Sequence, residues 1–74
     1  MIAELMNIEW VVENEIEHGM PERSLAVTYA FGLRASSPPD WKRINNAILT
    51  KFGKRGLTKI KTRAWRLFEG KEQP

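Results

Sequence analysis

Residues 37–70 read SPPDWKRINNAILTKFGKRGLTKIKTRAWRLFEG, and the fold turns on how this stretch is divided. Ser37 suits a helix N-cap, Pro38 suits the first helical position, and Asp40 stands three residues after Ser37 as in a capping box. These signals predict a helix from Pro38 to Phe52. At about 100° per residue, Trp41, Ile44, Ala47, Ile48 and Phe52 share one face, and Lys42, Arg43, Asn46 and Thr50 share the other. Gly53 is expected to end this helix. The segment Gly53-Lys54-Arg55-Gly56 then reads as a glycine-bounded turn, and a second helix begins near Arg55 to Leu57 and runs to about Glu69, with Gly70 as its stop. Two helices joined by so short a connection pack against each other.

Within the second helix, LTKIKTRAWRLF (residues 57–68), a core stripe of Leu57, Ile60, Ala64, Leu67 and Phe68 is expected. Lys59, Arg63 and Arg66 fall opposite it with Thr62 beside them, while Lys61 and Trp65 lie at its edges. Helix, short glycine turn and helix with a basic outer face is also the outline of a helix-turn-helix, in which the second helix enters the major groove and the first crosses the backbone. Any antiparallel helical hairpin shares that outline. The first helix here is also longer, and the turn richer in charge, than the motif normally uses.

Upstream, Ile2 to Glu17 reads as a helix carrying Ile2, Leu5, Met6, Val12 and Ile16 on one side, although Glu9 and Glu13 intrude on that stripe. The same residues alternate as Ile8, Trp10, Val12 and Ile16 against Glu9, Glu13, Glu15 and Glu17, which is the pattern of a strand. Length and the abundance of Leu, Met, Glu and Ile favour the helix. Pro21 to Ala35 opens on a proline and is apolar all round, so it reads as a buried central helix. The resulting expectation is an all-α domain, a small bundle of about four helices ending in the helical hairpin of residues 37–70. The alternative is α+β, with residues 1–35 forming a β-hairpin.

The chain has 74 residues, enough for one domain, divided into an acidic and apolar half (1–35) and the basic hairpin (37–70). At this size only about 60% of the unfolded chain's surface is buried on folding, so a second copy or a partner would add stability, and a homodimer is one such arrangement. Apolar residues at 42% and charged residues at 28% suit a folded soluble chain and not a disordered one. The absence of cysteine excludes disulfides, thiolate chemistry and Cys-based zinc sites, and it suits a reducing compartment, so the expected location is cytoplasmic. Residues 1–10, MIAELMNIEW, have neither the positive start of a signal peptide nor the apolar run of a membrane span.

Charge is divided along the chain more sharply than the net +3 suggests. Residues 1–22 hold six acids and no Lys or Arg, and the remainder holds all twelve basic residues with three acids. Between Trp41 and Arg66 there are nine basic residues and no acid. An ordinary solvated helix face mixes Glu with Lys at pairing distance, whereas this one concentrates like charges that repel. An anionic partner would offset that repulsion. Lys54 and Arg55 also stand at the expected N-terminus of the last helix, where free N–H groups favour an anion.

These observations point to a small nucleic-acid-binding protein of regulatory or accessory role, with DNA ahead of RNA as the ligand. The expected contacts are Lys54, Arg55, Lys59, Thr62, Arg63 and Arg66, with Lys42 and Arg43 as flanking backbone contacts. The rival reading is a protein-interaction module, such as a small inhibitor or adaptor, whose acidic front and basic back each dock on a charged surface. An open basic patch favours the first reading, and a patch covered by Glu9, Glu13 and Glu17 favours the second. Trp41 and Trp65 are expected in the core, the alternative for an aromatic residue amid Arg and Lys being to stack on a base or wedge into a groove, and Trp10 is expected in the core or at a dimer contact. An enzyme is not indicated: His18 is the sole histidine, it sits at an apparent helix end in Glu17-His18-Gly19, and no nucleophile pairs with it. Glu13 and Glu17 beside His18 are spaced as helix-surface neighbours and make a poor metal set, and no cofactor motif is present. The apolar stripe of the basic helix is needed for the core, which argues against a membrane-surface role.

Overall fold

The computed structural model describes residues 7–71, and these form three α-helices: α1 (Ile8–Glu17), α2 (Glu22–Arg34) and α3 (Trp41–Phe68). The fold is all-α, and both described segments of the front half are helical, so the β-hairpin alternative does not hold for them. Ile2, Leu5 and Met6, assigned to the first stripe, lie outside the described residues.

α1 starts at Asn7, whose side chain accepts from the Trp10 N–H at 2.9 Å. It ends in a Schellman turn: Gly19 N–H donates to the Ile16 carbonyl and Met20 N–H to that of Glu15. His18 is the C-cap residue, with Nδ1 2.8 Å from the Asn14 carbonyl. Ile8, Val12 and Ile16, spaced i, i+4, i+8, face the core. The two glutamates that interrupt the pattern, Glu9 and Glu13, border this stripe and reach across to α3.

α2 follows Pro21 and buries Leu25, Ala26, Thr28, Tyr29, Ala30 and Gly32. Gly32 is where Trp41 lies against the helix, because a Cβ there would meet the indole at 2.9 Å. The Trp41 ring also rests on Tyr29, 4.6 Å between centroids, and the Tyr29 hydroxyl donates to Asn45 Oδ1 at 2.8 Å. Trp41 is thus half-buried packing, as expected of it.

The start of α3 differs from the sequence expectation. Asp40, not Ser37, is the N-cap; its carboxylate accepts from the Arg43 N–H at 3.1 Å, and Pro38 and Pro39 stay outside the helix. The reason is local sterics: a residue that precedes a proline is pushed away from helical φ/ψ, and both Ser37 and Pro38 do so. A capping box needs Glu or Gln three residues after the cap to bond back to the cap's own N–H, but that position holds Arg43. Glu9 of α1 supplies the missing acceptor, taking the Asp40 N–H at 2.6 Å.

Gly53 breaks α3 (φ 74, ψ 178), leaving a first arm that ends at Phe52 and a second that resumes at Lys54. The expected four-residue turn therefore shrinks to one residue. Gly56 lies inside the second arm and is buried, and a Cβ on it would overlap the Phe52 side chain. The glycines at 53 and 56 thus have separate duties, one conformational and one of close approach. Both arms feed one core: Ile44 and Ile48 from the first and Ile60, Ala64 and Leu67 from the second meet Val12, Leu25, Ala26, Tyr29 and Ala30. The second arm ends at Gly70 in another Schellman turn, Gly70 N–H to the Leu67 carbonyl and Lys71 N–H to that of Arg66.

The half-buried Glu15 lies between α1 and α2, where it accepts the Thr28 hydroxyl at 2.6 Å. Burial pushes its carboxyl above the ordinary range, and the Thr28 bond pulls it part of the way back.

Two stability outcomes are expected. Gly53→Ala puts a side chain into backbone space open almost only to glycine and should cost about 1 to 3 kcal/mol in urea unfolding. An acid raised on folding favours the folded state at low pH and loses that advantage as pH rises through its raised value. Glu15→Gln should therefore raise the thermal midpoint near neutral pH, with the gain fading as pH falls below the ordinary glutamate range.

Candidate nucleic-acid interface

The buried stripe of the second arm consists of Gly56, Ile60, Ala64 and Leu67. It is rotated from the expected stripe centred on Leu57: Leu57 is half-buried at its margin, and Phe68 is 38% exposed. The close approach at Gly56 sets the rotation at one end. At the other, the Arg34 guanidinium of α2 donates to the Leu67 carbonyl at 3.1 Å. Arg63, expected to point away from the core, consequently comes to rest half-buried beside the stripe. Trp65, expected in the core, moves onto the solvent face at 45% exposure, and Trp10, at 61%, also lies outside the core.

The rotation brings half of the expected contact residues to one place. Lys59, Thr62, Arg63 and Arg66 line a cleft whose opposite wall is the start of α2, Glu22 and Arg23, with Thr58 and Ile60 completing it. Lys59, Thr62, Arg66 and Arg23 are exposed. Glu22 is the one acid in the lining, so the cleft is strongly positive. Arg23 was missed by sequence reasoning because residues 1–35 read as the acidic half; its signal was that it is the first basic residue after the acidic run.

Lys54 and Arg55 are exposed in the first turn of the second arm and do not line the cleft. Their position is unfavourable to the isolated helix, since the positive end of its dipole meets two cations and no acid in that turn.

Lys42 and Arg43 stand apart, on a shallow depression formed with Glu13, Asp40, Asn46, Ala47 and Thr50. Lys42 is exposed. Arg43 is committed within the protein: its Nε and Nη2 donate to the two Glu13 carboxylate oxygens at 2.8 and 2.6 Å. This bidentate bond, helped by the Arg43 charge, holds the Glu13 carboxyl below its ordinary value, against a smaller desolvation effect in the opposite sense. Of the eight expected residues, four share the cleft, two flank it at the arm's start, and two lie elsewhere.

Among the described residues, no group of three or more His, Asp or Glu side chains is placed to hold a metal, and no helix is long and apolar enough to cross a membrane. Comparison with known proteins gives no match, whether to a family model, a curated protein or a solved structure.

Proposed function

We propose that this chain is a small nucleic-acid-binding protein, regulatory or accessory in role, acting on DNA ahead of RNA in the cytoplasm and not as an enzyme. The observation that carries the reading is the cleft in which exposed Arg23 of α2 joins exposed Lys59 and Arg66 of α3 across a single acid. Cations gathered from two helices repel one another, and phosphates would relieve that repulsion. The two cations at the dipole's positive end add to the same cost and would be relieved in the same way.

In this reading the second arm takes the place of the second helix of a helix-turn-helix, with its cleft edge on the sugar–phosphate backbone. Lys54 and Arg55 extend the track toward Gly53. Most of the affinity is then electrostatic and independent of sequence.

A second reading has its own support. Glu13 covers Arg43, and Trp10, Val11 and Met20 form an apolar surface beside Glu15 and His18 on the acidic side. A protein-interaction module, an inhibitor or adaptor, would use such a surface.

Titration of duplex DNA at a series of salt concentrations separates the two. Engagement of about 4 to 6 phosphates predicts a log–log slope on the order of −4 to −5. Replacing the exposed Lys59 and Arg66 together by Ala should flatten the slope by about one to two units with the helical circular dichroism unchanged. Glu13→Gln, which loosens the hold on Arg43, should strengthen binding at low salt. Absence of binding at low salt to any DNA or RNA, duplex or single-stranded, by the folded protein overturns the proposal and favours the interaction module.

A further inference from the structure

Trp65 stands among the charges of the basic arm with nearly half its surface open to solvent, where the core makes no use of it. Its ring meets Phe68 edge to face, with centroids 5.4 Å apart and planes at 83°, which restricts how the indole can turn. Single exposed aromatics are common on protein surfaces. What distinguishes this one is its surroundings. Lys61 lies one turn before it, Arg66 follows it, and Thr62, three residues back, belongs to the wall of the cleft. Trp10 is different: it sits beside Val11 and Met20 in an apolar setting. The acid nearest Trp65 along the helix, Glu69, is paired with Lys71 at 3.4 Å.

We infer that Trp65 is a base-stacking platform, and that the ligand of this face is an unpaired nucleic-acid strand. The inference rests on the nucleic-acid reading above and narrows it. In a duplex each base face is covered by its neighbours, so an indole projecting from a helix meets base edges or sugar. An unpaired strand presents the faces themselves, and stacking on an aromatic ring beside a cationic track is how such strands are held without regard to sequence. The arm supplies both parts at the right separation. Residues three apart on a helix are neighbours, about 5 to 6 Å between Cβ atoms. A base lying on Trp65 therefore keeps its own phosphates beside Lys61 and Thr62, the latter at the cleft's edge. The surrounding cations select this occupant over an apolar protein surface, since burying Lys61 and Arg66 against such a surface would leave them unpaired.

The test is fluorescence anisotropy with a labelled oligothymidylate of about 15 nucleotides, near the upper end of known single-strand site sizes, and a duplex of equal length. The wild-type protein should bind the single strand at least as tightly as the duplex. Trp65→Ala should weaken single-strand binding roughly 5- to 150-fold, the loss of one stacked base, and leave duplex binding within about twofold. Trp65→Phe should recover most of the loss, and Trp10→Ala should have no effect. Binding of duplex alone, or single-strand binding indifferent to Trp65→Ala, overturns the inference and leaves the wider proposal standing. Failure to bind either ligand overturns both. A concentration-dependent dimer abolished by Trp65→Ala would assign the ring to a second copy of the chain and also overturn it.

Discussion

The break at Gly53 is the constraint from which the rest of the architecture follows. A straight helix of 28 residues would be about 42 Å long, yet the longest dimension of the fold is 35 Å. With so few residues, no other element could cover both ends of such a rod. Turning the chain at a single residue instead brings two apolar faces onto the same central helix, α2. Ile44, Ile48, Ile60 and Ala64 then share one core. The mirror-image backbone at Gly53 is open to no other residue type at comparable cost, and the tight junction needs a second glycine within one turn.

Ionic and capping contacts finish what this turn begins. Glu9 and Glu13, one helical turn apart on α1, meet the beginning of α3 in two ways: one closes the N-cap at Asp40, the other clamps Arg43. They lie on the surface, so they add more to register than to stability. Their effect on charge is larger. They satisfy the cation nearest the acidic helix, Arg43, while most of the other basic residues of the stretch lie on the second arm, away from these two carboxylates.

Much of this was legible in the sequence. The helical class, the break at Gly53, the stop at Gly70 and the basic arm all follow from local signals: periodicity, glycine and uneven charge. The misplacements arise where local signals compete or where distant residues decide. Ser37 reads as a cap until the two prolines after it are weighed. Glu9 and Glu13 spoil a helical stripe only while their partners, 31 and 30 residues away, are unseen. The orientation of the second arm was off because Leu57 and Phe68 look like better core residues than Gly56. Close packing at a glycine overrode hydrophobicity, and with it went the positions of Arg63 and Trp65. Arg23 could not be placed at the site before α2 was known to lie against the second arm.

The broken ladder at Gly53 also divides the opening behaviour of the longest helix. Each arm is near or below the length at which an isolated helix is marginal in water, about 12 to 15 residues, so neither persists without its packing on α2. The amides just after the break, those of exposed Lys54 and Arg55 in the first turn of the second arm, sit where intrahelical acceptors are fewest. They exchange with solvent through small local openings. Those of Ile44, Ile48, Ile60 and Ala64 wait for the shared core to come apart, so the two arms carry easily opened amides at their junction and well-protected ones on either side of it.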